Sequence, residues 1–329
     1  MKRRDFVALF GGAATAWPLG ARAQQSDRAR RIGVLLNFQE TDKEGQARVD
    51  AFRESLRELG WSEGRNFKIE YRWSPGDAAQ TRTFVDELLG LGLDVIVTSS
   101  NAAIVALRRA TQTQPVVFTT SVDPVASGFV TSLARPGGNM TGCTQFESSM
   151  GGKWLDLLKE TAPHVDDVLV LVSPENTISP IMVRNIEAAA QRIGVQVTSA
   201  GERDAAGFER ALNGFARGSN RGVIVIPNAP AYTHRHLIVE LTAKFRLPAI
   251  YTSPTFVSAG GLMSYGNDPT DPFRRMAGYV DRILRGEKPG DLPVQAPSKF
   301  ILVINLKTAK ALGLTVPPTI VSRADEVID

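Results

Sequence analysis

The sequence predicts an α/β protein made of two doubly wound parallel-sheet lobes joined by a multi-strand hinge. Short runs rich in β-branched residues alternate with longer amphipathic stretches along most of the 329 residues. This pattern is typical of a parallel sheet with helices on both faces. The alternation comes as two successive series of similar length, and the chain is longer than one hydrophobic core usually accommodates. These observations favour two similar lobes.

The first series runs from residue 31 to about residue 143. Its strands are predicted at 32–36, 67–73, 94–98 and 115–118. The stretches between them place apolar residues on one helical face, as at Val49, Phe52 and Leu56. We therefore expect one open parallel sheet with amphipathic helices packed against it.

The second series follows Gly142 and repeats the pattern. Its strands are predicted at 168–172, 195–199, 223–226 and 248–251. Two further strands, at 261–265 and 300–304, are predicted in the part of the chain that recrosses between the lobes. Helical spacing is clear at Phe208, Leu212 and Phe215, and a further amphipathic helix is expected over 272–285.

The last segments of the chain are expected to cross between the lobes. Lobe 1 is predicted to contain residues 28–143 and 254–290, and lobe 2 residues 146–251 and 300–329. The crossings are placed near 142–145, 252–254 and 300–305, where a few residues would absorb a hinge rotation. Open parallel sheets bind ligands beyond the carboxyl ends of their strands, so the site is expected where the two sets of strand ends meet.

The first 23 residues have the features of an export leader. A basic start containing Arg3 and Arg4 precedes a short, mildly apolar run, and Ala21-Arg22-Ala23 resembles a signal-peptidase site. The paired arginines favour the twin-arginine route, with the Sec route as the alternative. The apolar run is too short for a membrane anchor. We expect cleavage near Ala23 and a periplasmic protein.

Charge and cysteine content narrow the functional classes. The leader carries four of the basic residues and one acidic residue, so its removal lowers the net charge from +4 to +1. Such a balance does not indicate a nucleic-acid partner. Cys143 is the only cysteine, which excludes an internal disulfide and any cysteine-based metal cluster. The mature protein is expected to be a soluble monomer.

Four sequence blocks resemble one known family. They are Leu-Gly-Trp-Ser-Glu-Gly-Arg-Asn at 59–66, Leu-Ala-Arg-Pro-Gly-Gly-Asn-Met-Thr-Gly at 133–142, Ala-Gly-Gly-Leu-Met-Ser-Tyr-Gly at 259–266, and the segment 303–314. In this order they resemble the ABC-transporter substrate-binding family that includes tryptophan and tyrosine binders. The resemblance implies a type I periplasmic binding-protein fold, delivery of a small solute to a membrane permease and ATPase, and neither catalysis nor a cofactor.

Polar residues follow the predicted strands of lobe 1. Ser99, Ser100 and Asn101 stand between a strand and a helix, where hydroxyls, free N–H groups and the helix dipole suit a carboxylate. The alternative is that one of them only caps the helix. The remaining lobe 1 candidates for ligand contact are Asn37, Gln39, Thr119, Thr120, Ser121 and Asp123. Asp123 precedes a proline, which favours a helix N-cap over an ammonium contact.

Lobe 2 is expected to close over the other side of the ligand. Asn176 and Asn228 follow predicted strands and could supply amide groups, while Tyr232 or Tyr251 could stack on a flat group. Each of these is also an ordinary turn residue. The tryptophans at 61, 73 and 154 are expected to pack structurally rather than to line an aromatic pocket.

Other functional classes find little support in the sequence. Among His164, His234 and His236 none is placed as the base of a hydrolase, and the last two point to different helix faces, which disfavours a metal site. The N-terminus carries a leader where a DNA-binding regulator would carry its helix-turn-helix. Docking of the loaded protein on a chemoreceptor or sensor kinase remains open beside transport. The preferred ligand is an amino acid or an aromatic compound bearing a carboxylate.

Overall fold

The computed structural model describes residues 28–75, 77–145, 147, 150–174, 176 and 178–329. The predicted leader lies outside the described residues. The first sheet has five parallel strands in the order β2-β1-β3-β4-β5. They are β1 Arg30–Leu36, β2 Phe67–Trp73, β3 Val95–Thr98, β4 Val116–Thr120 and β5 Met140–Thr144.

Helices cover both faces of this sheet. The chain forms α1 Lys43–Glu58, α2 Ala78–Gly90 and α3 Asn101–Ala110 between the strands. Asp42, Asp77 and Ser100 begin these helices by accepting hydrogen bonds from backbone N–H groups of the first turn. Apolar residues of α1 pack on one face of the sheet, and those of α2 and α3 pack on the other. Lobe 1 therefore has two cores separated by its sheet.

The second sheet has seven strands in the order β12-β11-β10-β9-β8-β6-β7. They are β6 Asp167–Val172, β7 Gln196–Gly201, β8 Arg221–Val225, β9 Ala249–Tyr251, β10 Met263–Asn267, β11 Phe300–Asn305 and β12 Glu326–Ile328. The described pairs are parallel except β10 with β11. The helices that accompany this sheet are α4 Met150–Thr161, α5 Ser179–Ile193, α6 Ala205–Phe215, α7 Ala229–Thr233, α8 Arg235–Lys244 and α9 Pro254–Ser258.

One further long helix belongs to lobe 1 although the chain reaches it after most of lobe 2. Helix α10, Asp271–Leu284, buries Phe273, Met276 and Val280 in the same core as Phe52 of α1. A short 3-10 helix, Pro289–Asp291, follows it and contacts β5. The remaining helices, α11 Leu306–Ala311 and α12 Pro318–Val321, return to lobe 2.

The lobe boundary predicted near 252–254 is wrong. Strand β10 pairs with β9 and β11, so α9 and β10 belong to lobe 2 rather than to a lobe 1 segment 254–290. The chain crosses to lobe 1 between Asn267 and Asp271. The third crossing likewise precedes β11 instead of lying within 300–305. The local pattern identified β10 and β11, but it carried no information on which sheet each strand joins, and it did not identify β5 or β12.

The three crossings lie side by side and are tied by hydrogen bonds. The first crossing leaves β5 after Thr144, whose N–H donates to the Gln295 carbonyl at 2.9 Å. The Asn267 side chain of the second crossing donates to the Gln145 carbonyl of the first. These bonds join short extended segments, which makes a compact hinge between the lobes. No helix in the described part of the chain is long and apolar enough to span a bilayer.

Candidate functional site

Polar side chains at the carboxyl ends of β1, β3 and β4 form two linked groups. The Ser99 hydroxyl donates to Asn37 Oδ1 at 3.0 Å. The Thr120 hydroxyl donates to Asn101 Oδ1 at 2.7 Å, and Asn101 Nδ2 donates to Ser121 Oγ at 3.1 Å. The structure therefore brings five of the predicted lobe 1 residues to the same edge of the sheet.

Ser100 has a structural role at this edge. Its hydroxyl is buried and accepts from the Ala103 N–H at 3.2 Å, which begins α3. The N–H groups of Asn101 and Ala102 belong to the first turn, where the helix itself provides no acceptor. The positive end of the helix dipole lies beside the linked side chains, a position that favours an anion.

Three predicted residues lie at the margins of this edge. Thr119 is fully buried, and its hydroxyl accepts from Gln145 Nε2 at 3.2 Å, so it supports the hinge side. Asp123 accepts from the N–H groups of Val125 and Ala126 at 2.8 and 3.0 Å. It therefore caps a turn over 124–128, not the α-helix that the sequence predicts. Gln39 is exposed in the loop that leads to α1.

Two asparagines occupy the facing strand ends of lobe 2. Asn176 Nδ2 donates to the Pro227 carbonyl at 3.3 Å, and its Oδ1 accepts from Ile178, so both ends of this amide bond the protein. Asn228 Oδ1 accepts from the Ala231 N–H at 3.1 Å and begins α7. Within the described residues, Asn228 Nδ2 is enclosed and has no hydrogen-bond partner. A buried unpaired donor is unfavourable, so this amide favours an added acceptor.

Tyr251 is not a cleft residue. Its side chain is 0% exposed, its ring stacks on Phe256 at 4.7 Å, and its hydroxyl bonds the Thr242 hydroxyl at 3.0 Å. Burial raises the pKa of its hydroxyl. The ring belongs to the core between the sheet and helices of lobe 2, so stacking of Tyr251 on a ligand, expected from the sequence, is wrong.

Tyr232 connects the two lobes. Its hydroxyl donates to Glu44 Oε1 at 2.5 Å across the cleft. Burial, together with the Glu44 carboxylate, raises the pKa of Tyr232 to about 12, so the hydroxyl stays protonated as a donor. The sequence predicts Tyr232 as a stacking candidate but gives no sign of its partner, which lies 188 positions earlier in the chain.

Glu44 belongs to a charged group at the start of α1 that the sequence analysis overlooked. Arg48 Nη1 lies 3.1 Å from Glu44 Oε2, and the Arg48 guanidinium lies 4.6 Å from the centroid of the Phe38 ring. In the sequence, Glu44 and Arg48 follow the β1 loop with the i, i+4 spacing that places an ion pair on one face of a helix. The candidates predicted in this loop, Asn37 and Gln39, precede this turn.

The tryptophans of the described chain pack structurally. Trp154 is buried and its indole N–H donates to the Tyr265 carbonyl at 2.7 Å, while Trp61 donates to Asp281 at 2.8 Å. Trp73 stacks on Tyr71 with 6.2 Å between ring centroids. Across the described residues no group of three or more His, Cys, Asp or Glu side chains is arranged to hold a metal ion.

Two open-sheet lobes with facing strand ends define a class of binding proteins that enclose a ligand at a hinge. Residues 36–328 match the model of the ABC transporter substrate binding protein family. The chain belongs to this family, whose members have the type I periplasmic binding-protein fold and bind solutes rather than catalyse reactions.

Similar proteins fit this assignment. The tyrosine-binding protein of Clostridioides difficile strain R20291 is 25% identical over 292 residues, covering 88% of this chain and 82% of the relative. The ABC domain from Streptococcus pneumoniae in complex with L-Trp is 25% identical with a TM-score of 0.81, covering 92% of this chain and all of the other. A conserved domain protein from Vibrio cholerae is 25% identical with a TM-score of 0.80, covering 91% of this chain and 100% of the other.

Proposed function

We propose that this protein captures an amino acid or a related aromatic compound with a carboxylate between its two lobes. The loaded protein delivers that solute to the permease and ATPase of an ABC importer. The export leader predicted in residues 1–23 supports action in the periplasm. The family assignment supports the transporter partners, because substrate binding for ABC transport is the family's shared role.

The observation that carries the proposal is the state of the Asn228 amide. Its Oδ1 accepts from the Ala231 N–H at the start of α7. Its Nδ2, enclosed after the end of β8, lacks a protein acceptor among the described residues. An unpaired buried donor costs about 1–3 kcal/mol, and a solute carboxylate oxygen would recover this energy. A cleft that contains such an unpaired donor is suited to a polar solute.

Lobe 1 supplies a second set of hydrogen-bond donors for the same solute. The N–H groups of the first turn of α3 lie at the strand ends of this lobe beside the Asn101 amide, whose Nδ2 bonds Ser121 through one of its two hydrogens. Helix N-termini stabilise anions through these unpaired N–H groups and the dipole. Contacts to both lobes would favour the closed form, since a ligand shifts this equilibrium only through its differential affinity.

The aromatic part of the proposal rests on the relatives. One is named a tyrosine-binding protein and another was solved with L-Trp. Both amino acids pair a carboxylate with a large flat ring, which agrees with the donors described above. The Phe38 ring, which follows β1 and lies beside Arg48, is a candidate for contact with the aromatic ring of the solute.

The proposal is tested by measuring melting temperature and calorimetric affinity against aromatic amino acids, other amino acids, aromatic acids and a sugar. A true ligand at a hundred times its Kd adds about 2.7 kcal/mol of stability. We expect aromatic amino acids to raise the melting temperature and sugars to leave it unchanged. If none of the carboxylate-bearing solutes stabilises the protein, the proposal is wrong.

Asn228→Asp examines the site directly. The aspartate keeps an acceptor for the Ala231 N–H but replaces the Nδ2 donor by a negative oxygen. We expect the Kd for a carboxylate solute to rise at least about tenfold through lost bonding and repulsion. Asn213→Asp, on the exposed side of α6, makes the same charge change in the same lobe and should bind as the parent does. Equal affinity of Asn228→Asp and the parent would contradict the assignment.

A further inference from the structure

We infer that Glu44 and Tyr232 form a latch that holds the lobes together without any solute and so sets how much of the free protein is closed. The inference rests on the proposed function only in that the same cleft takes the solute. It reassigns Tyr232 from a stacking residue to a positioning residue that acts on affinity through lobe closure.

The latch is a charge-assisted hydrogen bond, because its acceptor is the carboxylate of Glu44. Its oxygen atoms are 2.5 Å apart, and the acceptor is a carboxylate. Separations of 2.5–2.7 Å are typical of an O–H donor with an ionised acceptor, which bonds more strongly than a neutral one. Both side chains are partly buried, so water competes less for the bond than it does at an open surface.

Each partner is held in place by its own lobe. On lobe 1, Arg48 contacts the second oxygen of Glu44 at 3.1 Å, and Asp42 caps the turn that carries Glu44. A carboxylate in the first turn is also favoured by the dipole of α1. The latch carboxylate therefore does not have to be ordered when the lobes meet.

The tyrosine is fixed in a similar way on lobe 2. The Arg235 guanidinium lies 5.3 Å from the centre of the Tyr232 ring and donates to the Tyr232 carbonyl at 3.1 Å. Phe256 packs edge-on against the same ring at 6.4 Å. Because both partners are pre-positioned, closing the latch loses little side-chain entropy.

The position of the latch distinguishes it from the hinge bonds. Asn267 and Gln145 bond within the crossings, near the rotation axis, where bonds can persist as the lobes move. Glu44 lies in α1 of lobe 1 and Tyr232 in α7 of lobe 2, so their bond breaks when these elements separate. Apparent affinity scales with the closed-competent fraction, so the latch should change the Kd of every solute by the same factor.

The first test needs no solute. Spin labels on Asp86→Cys in α2 and Glu209→Cys in α6, both exposed, report the distance between the lobes. The native Cys143 is 1% exposed, and burial raises its pKa to about 12, so it does not compete for the label. In the solute-free protein, Tyr232→Phe should shift the distance distribution toward longer values. An unchanged distribution would overturn the latch.

The matched control is Tyr251→Phe. It also removes one tyrosine hydroxyl with a hydrogen bond in lobe 2, but its partner is Thr242 in the same lobe. Its distance distribution should equal that of the parent. Glu44→Ala should move the distribution as Tyr232→Phe does, and the double variant should move it no further, because each change breaks the same bond. Fully additive shifts would contradict a shared bond.

The second test uses a panel of solutes. Tyr232→Phe keeps the ring and should raise each Kd by about three- to tenfold, with the ratio between solutes unchanged. A loss confined to aromatic solutes would instead make Tyr232 a ligand contact and would overturn the inference. If no solute binds the parent, the proposed function fails while the distance measurement still decides on the latch.

Discussion

Lys299 Nζ lies 2.8 Å from Asp268 Oδ2, and this ion pair joins the third crossing between the lobes to the second. Asp268 is 7% exposed and also accepts from the Thr270 hydroxyl and N–H at 2.6 and 2.9 Å. Burial alone would raise the pKa of Asp268, but the bonds from Lys299 and Thr270 outweigh it and lower the pKa to about 2. The ionised carboxylate of Asp268 therefore joins the second and third crossings of the hinge.

Removing the lysine should make the protein less stable at neutral pH and the loss should fade in acid. Lys299→Met is expected to lower the free energy of unfolding by about 1 kcal/mol at pH 6, because the Asp268 carboxylate loses a partly exposed ionic hydrogen bond. Since the folded pKa is depressed, this stabilisation is present above about pH 4 and is lost as the pH falls through about 2.

Urea unfolding at several pH values measures this difference between parent and variant. Lys68→Met, on the exposed part of β2, removes the same charge away from the hinge and should show neither the loss nor its pH dependence. A Lys299→Met penalty that stays constant from pH 6 to pH 2 would show that the ion pair is not its source.

Gly142→Ala should strongly destabilise lobe 1. Gly142 pairs with Phe118 between β5 and β4, and an added Cβ would lie 1.8 Å from the Phe118 carbonyl oxygen. Backbone atoms cannot rotate away, so the strands must separate, at a cost of about 3 kcal/mol or more. Gly138→Ala, where nothing lies within 4 Å of the added carbon, serves as control in urea unfolding. Parent-like stability of Gly142→Ala would refute the close approach.

Adjacent residues at the start of α3 should respond differently to alanine. Ser100→Ala removes a helix cap and should cost about 1 kcal/mol of stability. Asn101→Ala removes the side chain that joins Thr120 to Ser121, and solute affinity should fall at least about tenfold with a smaller loss of stability. Asp204→Ala, the cap of α6, should cost stability without changing affinity. The idea fails if Asn101→Ala binds as tightly as the parent.

Much of the architecture could be predicted from the sequence because its patterns are local. The strand predicted at 67–73 coincides with β2, and the amphipathic stretch at 272–285 nearly coincides with α10. Hydrophobic periodicity reports which residues a helix or strand buries. It does not report the partner, so β10 was placed in the wrong lobe although its existence was predicted.

The candidate site shows the same division. The gathering of Asn37, Ser99 and Asn101 at one sheet edge could be predicted, because residues that follow parallel strands meet there. Tyr251 was misjudged because it is the last residue of β9, and its side chain points to a sheet face and the core rather than to the edge. The bond between Glu44 and Tyr232 depends on how two lobes meet, which no local pattern encodes.

The return of α10 to lobe 1 has a consequence for biosynthesis. The face of α1 that carries Val49 and Phe52 is covered by a helix that leaves the ribosome only after β6 to β10 have been made. Until then this apolar face of α1 lacks its covering helix, although most strands of lobe 2 have already been made. Lobe 1 therefore cannot complete its core until α10 has been made, and nascent chains halted before residue 271 should be ones that chaperones retain.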